Sequence, residues 1–388
     1  MRGHSDPRFP MFFALDVEAL IRADHPLRPI KAMVDEELAR LDAVFEAAYS
    51  DTGRPGVPPE VLLKAMLLQA LYSIRSERQL VERLTTDLLF RWFCDLDPAQ
   101  EVFDHSAFTH NRERLAGHGV IGAFFDGVVR RAMEAGLTSD EHFTVDGTLI
   151  QSHASLKSLK PKAAQSSASD RQDGDGATGA EAGSGPASRN PSVDFHGQKR
   201  SNATHASTTA PQARLCRKGA GQPALLGHSG HALMENRNPG APGLLAVAVD
   251  AAEGQAERRQ ALAMLDEVYE KYQQVPTSLG ADKGYASGEF LGDLVGRVVR
   301  PHVALPQGSI KGQSEEHQRR RMMRRRMKTL GYAISQRRRK MIEEAFGWMK
   351  TVAGLARTKL VGRWKLKLQM QVAAAAYNLV RLRSLATA

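Results

Sequence analysis

The stretch His142-Phe143-Thr144-Val145-Asp146-Gly147-Thr148-Leu149-Ile150 divides the chain into two characters. Its β-branched and aromatic residues favour a pleated strand. Phe143 and Val145 then share one face and Asp146 points to the other, because side chains alternate along a strand. Gly147 follows directly and leaves room for a ligand to approach the backbone. Everything before this segment reads as helix. Everything after it alternates between strand and helix.

Upstream, Leu15, Val17, Leu20 and Ile21 recur at helical spacing, as do Met33, Val34, Leu38, Leu41 and Val44. The run Arg54-Pro55-Gly56-Val57-Pro58-Pro59 is a breaker, and its last two prolines can open a helix through Leu62, Leu63, Met66, Leu67, Ala70 and Leu71. A polar turn at Ser73 to Ser76 leads to a second helix through Leu80, Val81, Leu84, Leu88 and Leu89. A third begins near Asp104-His105-Ser106, with Ser106 as its cap and Phe108 and Leu115 inward. Short helices with tight turns suit a helix-turn-helix-like DNA module and a plain helical bundle alike.

Downstream, no Val, Ile, Leu, Met or aromatic residue occurs between Ala163 and Ser192. Such a segment buries too little to order itself and reads as a disordered loop at about 160–195, inside a domain. Strand patterns resume at Ala224 to Met234 and Gly243 to Asp250. A helix follows at about 256–274, then a strand into Gly280-Ala281-Asp282-Lys283-Gly284-Tyr285, and another at Val298 to Leu305. Helices are expected at about 335–353 and 365–385. The expected organisation is an all-α N-terminal domain over 1–138 and an α/β domain over 139–388.

The 388 residues carry a net charge of +10, and its distribution is uneven. From His317 to Ala388 there are 19 Lys or Arg against two acids, Glu343 and Glu344, while the first 316 residues carry a net −7. A tail of that kind fits a polyanion, because Lys and Arg displace counterions from nucleic-acid phosphate; a solvated helix face would look similar. No apolar stretch reaches membrane-spanning length and the mean hydropathy is −0.36. With no signal-peptide pattern near Arg2 to Arg8, cytoplasmic placement is the expectation. Cys94 and Cys216 are too few and too far apart for a disulfide framework or a cysteine zinc site. His196, His205, His228 and His231 lack zinc-finger spacing and read as non-ligands, with His231 on a strand near the candidate site.

Three acids stand out. Asp146 lies on the strand already described. Asp282 ends a second strand beside glycine, where an open α/β sheet exposes ligand groups. Glu343 shares a helical stripe with Arg339 and Lys350, which fall within roughly 40° of one another at about 100° per residue. Phosphodiester chemistry needs an activated oxygen and a stabilised leaving oxygen, and two Mg²⁺ ions supply both. Carboxylates are suitable ligands for them. Any one of these aspartates could instead form a cap or turn, and Asp250, which also ends an apolar strand, competes for the role.

Read together, these residues resemble the DDE transposases of bacterial insertion sequences, of the family-five type. Thr144-Val145-Asp146-Gly147-Thr148 is similar to the motif of the first Asp, and Ala281-Asp282-Lys283-Gly284-Tyr285 to that of the second. Arg339, Glu343 and Lys350 within Ile342-Glu343-Glu344-Ala345-Phe346-Gly347-Trp348 resemble the signature around the catalytic Glu. The family form places Tyr three residues before the Arg; Gln336 stands there, and Tyr332 lies further off. Further similarity runs through Gln69 to Leu80, Asp104 to Phe108, Arg214, Lys218-Gly219, His231 to Arg237 and Ala256 to Arg259. The resemblance implies a ribonuclease-H-like catalytic domain, a mixed sheet flanked by helices. It implies Asp146, Asp282 and Glu343 as catalytic metal ligands for two Mg²⁺, with Mn²⁺ able to replace it. It implies cleavage at the element ends and joining to target DNA without a covalent protein–DNA intermediate, so that Tyr285 is structural. Arg339, Lys350, Lys283, Arg324, Arg325 and Arg326 would contact phosphate. The partners implied are double-stranded DNA, as terminal inverted repeats and target, and a second copy of the chain, in a bacterial nucleoid. A DNA-binding regulator, a nuclease that never joins strands, and an inactive copy of the element's enzyme stay open as alternatives.

Overall fold

The computed structural model describes residues 16–49, 56–162, 200–217, 222–238, 243–252, 256–307 and 312–386. The low-complexity loop expected at about 160–195 lies almost wholly outside them.

The N-terminal region is helical throughout: α1 (Val17–Leu20), α2 (Leu27–Ala39), α3 (Asp42–Ala48), α4 (Pro59–Leu71), α5 (Glu77–Thr86), α6 (Leu88–Phe93), α7 (His105–Gly117) and α8 (Val120–Glu134). Pro59 occupies the first turn of α4, where a missing N–H costs nothing. Helix α4 is buried on every side, from Val61 to Met66 and on to Ala70. Each fully buried Leu there contributes about 1.5–3 kcal/mol. Its one charged core residue, Lys64, is paired with Asp35 and Asp95. The expected second helix is two, because Asp87 ends α5 and caps α6 by accepting from the Leu89 N–H at 3.0 Å. The cap of α7 is Asp104, which accepts from the Ser106 N–H at 2.7 Å; Ser106, expected in that role, is inside the helix.

A mixed sheet follows, flanked by helices, as the resemblance implied. Strand β1 (His142–Ser152) pairs antiparallel with β5 (Leu225–Glu235) along most of its length. On its other edge β5 pairs with β4 (Arg214–Cys216) and then β6 (Leu244–Ala251), both antiparallel. The free edge of β1 pairs parallel with β7 (Ser278–Ala281), and β7 with β8 (Arg300–Val303), also parallel. A short pair, β2 (Leu159–Pro161) with β3 (His205–Ser207), stands apart. Helix α9 (Ala256–Tyr272) packs on β5 and β6; α10 (Gly288–Gly296) and α11 (Glu315–Arg326) pack by β8.

One detail of the ladder sets the position of everything functional. Strand β7 pairs with β1 only from His142 to Thr144, and β9 (Arg357–Thr358) pairs with β1 only at Gln151 and Ser152. Between them that edge of β1 has no strand partner. The gap is covered by α12 (Leu330–Arg339) and α13 (Met341–Thr351), both of which contact β1.

The long C-terminal helix α14 (Arg363–Ala386) packs on β6 and also on α8, α4 and α2. Its small buried residues Ala373 to Ala376 allow that close approach. One apolar core therefore runs from the helical region into the sheet.

Candidate active site

In the parallel ladder Thr144 stands opposite Gly280. Asp146 and Asp282 each lie two residues beyond that pair. The register thus brings two aspartates, remote in sequence, to the same end of adjacent parallel strands as they diverge. Open sheets bind ligands at such a divergence.

Asp146 is largely buried, and its Oδ1 accepts from the Gly147 N–H at 2.8 Å. Burial pushes its carboxyl up to about 6; the charges of Asp282 and Glu343 push the same way, against the Gly147 hydrogen bond and the Arg339 charge. Asp282 caps a short 3₁₀ turn and accepts from the Gly284 N–H at 2.7 Å, which aims its second oxygen outward.

Arg339 and Glu343 face this pair. The Arg339 guanidinium is 3.6 Å from Asp146 Oδ2 and 3.9 Å from Glu343 Oε1, and its Nε is buried without a hydrogen-bond partner. The sequence implied one helix through both residues. The structure has a break at Lys340, and the Glu343 N–H bonds to the Lys340 carbonyl at 3.1 Å. Asn236 sits at this break. Its Nδ2 donates to the Arg338 carbonyl at 3.0 Å and to Thr144 Oγ1 at 2.5 Å. Asn236 thereby joins the Asp146 strand to the Arg339 helix. Gln336, at the position where the resemblance expects Tyr, donates to the His302 carbonyl at 2.6 Å, on the strand beside β7.

The remaining candidates separate. Lys283 is exposed in the turn after Asp282. Lys350, at the far end of α13, lines a groove of about 950 Å³ between α4, α7 and α14, with Arg112, Arg357, Lys359 and Trp364. Arg324, Arg325 and Arg326 lie on α11, which packs on α10 and β8; Arg326 donates to the Pro301 carbonyl at 3.2 Å. Asp250, the competing aspartate, is held by Arg259, Arg363 and Gln260. Against its burial, those hydrogen bonds keep its carboxyl well below the usual range, so it is a structural acid. His231 is fully buried opposite Gly147 in the ladder, and burial lowers it to about 4.

Two residues received no role from the sequence although both sit in segments that resembled the family. Asn236 is one. The other is Glu257, in the first turn of α9, whose carboxyl is raised by burial and by the Asp282 charge.

Two families match the chain: a transposase domain over residues 15–114 and a transposase DDE domain over 214–379. The chain belongs to the DDE transposases. The matched segments include Asp282 and Glu343; Asp146 lies between them. No curated protein matches the chain. Among solved structures it is similar to piggyBac transposase in a synaptic complex with hairpin DNA, at 9% identity and a TM-score of 0.40, covering 93% of this chain and 75% of that one. That likeness is too remote to carry argument.

DDE transposases act on DNA and generally use divalent metal ions. The donor chemistry here suits such ions: Asp146 feels the charges of the Asp282 and Glu343 carboxylates, hard oxygen donors, and among the described residues Arg339 is the cation paired with both Asp146 and Glu343. A finished cage is absent, since no three His, Cys, Asp or Glu among the described residues form a metal-holding group. Arg339 lies within ion-pair range of both Asp146 and Glu343. No helix among the described residues is long and apolar enough to cross a membrane.

Proposed function

We propose that this transposase cuts DNA at the ends of an insertion sequence of the family-five type and joins the freed ends to target DNA, with Asp146, Asp282 and Glu343 as its metal ligands. The observation that carries the reading is the ladder register, which sets Asp146 and Asp282 side by side where the sheet opens opposite Arg339 and Glu343. Two Mg²⁺, or Mn²⁺ in their place, would supply an activated oxygen and stabilise the leaving oxygen. In the first step a water oxygen attacks phosphorus and the 3′ oxygen leaves. In the second that 3′ hydroxyl attacks a target phosphorus, and a target 3′ oxygen leaves. Arg339 turns from its carboxylates to the non-bridging phosphate oxygens, where a guanidinium binds in a fork. Lys283 and Lys350 extend the cationic track on either side, and Arg324 to Arg326 add a sequence-independent contact. The helical region, 1–138, recognises the terminal inverted repeats or joins two copies as a homodimer, and residues 139–388 carry the chemistry.

A Mg²⁺-dependent nicking assay on end-bearing DNA tests the assignment. Asp282→Ala is expected to abolish nicking while DNA is still bound; full activity would overturn it. A strand-transfer product on target plasmid separates a transposase from a nuclease that only cuts.

A further inference from the structure

Glu257 opens α9 as its second residue, where an acid commonly does no more than complement the helix dipole. Its carboxylate is turned elsewhere. A Cβ added to Gly147 would lie 3.2 Å from Glu257 Oε1, and one added to Gly284 would lie 3.5 Å from Glu257 Oε2. These are the glycines that follow Asp146 and Asp282. Glu257 thus stands between Gly147, on the strand that carries Asp146, and the turn that follows Asp282. Among the described residues it is given no hydrogen bond and no ion pair.

Two further groups converge on the same place, and each is a fully buried polar side chain left without a partner. The Tyr285 hydroxyl has no hydrogen-bond partner, and the charges acting on it are those of Glu257, Asp146 and Asp282, with Arg339 opposing them. His231 has neither ring nitrogen satisfied, and its Nδ1 is 3.3 Å from the same Cβ position over Gly147. Buried polar atoms of this kind are normally paired by protein, water or an ion. Three unpaired groups around one point mark a place built for a ligand with several donor and acceptor contacts, such as a hydrated cation.

We propose that Glu257 is a fourth carboxylate of the metal site, binding a divalent cation together with Asp282, directly or through its bound water. The proposal rests on the reading that Asp146, Asp282 and Glu343 hold divalent ions. The charge balance agrees with it. Four carboxylates match the charge of two divalent ions and leave Arg339 free for phosphate. Without the ions, Glu257 faces the Asp282 charge, countered only in part by that of Arg258, and that repulsion is a cost the folded chain bears.

The test uses the full chain and Mn²⁺ as probe, read by calorimetry and by electron paramagnetic resonance, with thermal unfolding alongside. Glu257→Gln is expected to weaken Mn²⁺ binding about tenfold or more. Because it removes a repulsive charge, it is also expected to raise the metal-free Tm while shrinking the rise that Mn²⁺ produces. Glu257→Asp, which keeps the charge on a shorter stem, should retain part of the Mn²⁺ binding. Unchanged Mn²⁺ binding in Glu257→Gln, or a lower metal-free Tm with the Mn²⁺ rise intact, overturns the proposal and leaves Glu257 a structural helix-end acid. Asp282→Asn is the control. If it too leaves Mn²⁺ binding intact, the three-acid reading has failed; if it abolishes binding and Glu257→Gln does not alter it, only the fourth ligand has failed.

Discussion

Replacing Asn236 with Ala removes a side chain that ties the Asp146 strand to the break before Glu343. Thr144 Oγ1, buried, loses its donor at 2.5 Å, while the Arg338 carbonyl loses one donor at 3.0 Å and keeps the Lys340 N–H. A buried polar group left unsatisfied costs about 1–3 kcal/mol. Thr144 alone sets a ceiling of about 3 kcal/mol, and Asn236 Oδ1 is itself buried and unpaired, so its deletion returns part of that. The expected loss is about 1–2 kcal/mol, within the roughly 5–15 kcal/mol margin of a folded domain. The functional consequence is larger than the stability one. Without the Asn236 bonds, the turn at Arg338 to Lys340 is no longer fixed to the Asp146 strand. Arg339 then turns relative to Asp146, and distances of 3.6 and 3.9 Å to its two carboxylates are not kept. We expect nicking to fall at least tenfold while end-DNA affinity without divalent ions changes little. Asn236→Asp should be no milder, since a carboxylate cannot donate to the Arg338 carbonyl. Urea unfolding and single-turnover nicking on the same preparations check both parts. Lowered stability with unimpaired nicking would refute the coupling and leave Asn236 a packing residue.

Three other perturbations have worked signs. His142 and His302 are buried, and burial lowers each to about 4 from an ordinary value near 6.5. The unfolded chain therefore binds more protons between those values, so their contribution is whole above pH 6.5 and is lost as pH falls toward 4. Each should cost roughly 2 kcal/mol between pH 7 and 5, partly offset by Asp146, whose raised carboxyl works in the opposite sense; urea midpoints that stay flat or rise on acidification would contradict this. Lys64→Met strips the buried cation from Asp35 and Asp95, which are partly exposed and keep Lys31 as their partner, and should cost about 1 kcal/mol; a gain in stability by urea titration would show the pair contributes nothing. Arg325 is exposed on α11, so Arg325→Ala should lower the salt slope of nonspecific DNA binding by about 0.9 without altering stability, while Arg326→Ala, losing its bond to the Pro301 carbonyl, should cost about 1 kcal/mol. An unchanged slope for Arg325→Ala would remove α11 from the DNA track.

The sequence made the motifs readable and left their meeting unreadable. The strand around Phe143, Val145 and Asp146 was legible from its β-branched and aromatic residues, although both of its faces are buried from His142 to Val145 and only from Asp146 onward does the burial relax. The third helix began where expected, although the cap is Asp104; Asp and Ser compete for that role, and only geometry decides between neighbours. The helix through Arg339 and Glu343 looked continuous because Asn236, which bonds at the break, is remote in sequence and does so through a carbonyl that carries no residue identity. The pairing of Thr144 with Gly280 is likewise a matter of register between distant strands. Glu257 was hidden for a plainer reason: an acid in the first turn of a helix satisfies the local rule, so nothing local marks it as unusual.

Asp146 and Asp250 show what separates a working carboxylate from a structural one when pattern does not. Both belong to β-strands that carry apolar residues to the core, and both are largely buried. Asp250 is given two guanidinium groups, an amide and a backbone N–H, and its carboxyl stays ionised far into acid. Asp146 is given one backbone N–H and one guanidinium at 3.6 Å, with two other carboxylates nearby, and its carboxyl is raised. Folding alone would favour the first arrangement, since an under-compensated buried charge is destabilising. The chain completes the coordination of Asp250 and leaves that of Asp146 incomplete. That difference, more than the motif, supports the proposal of Asp146 as a cation ligand.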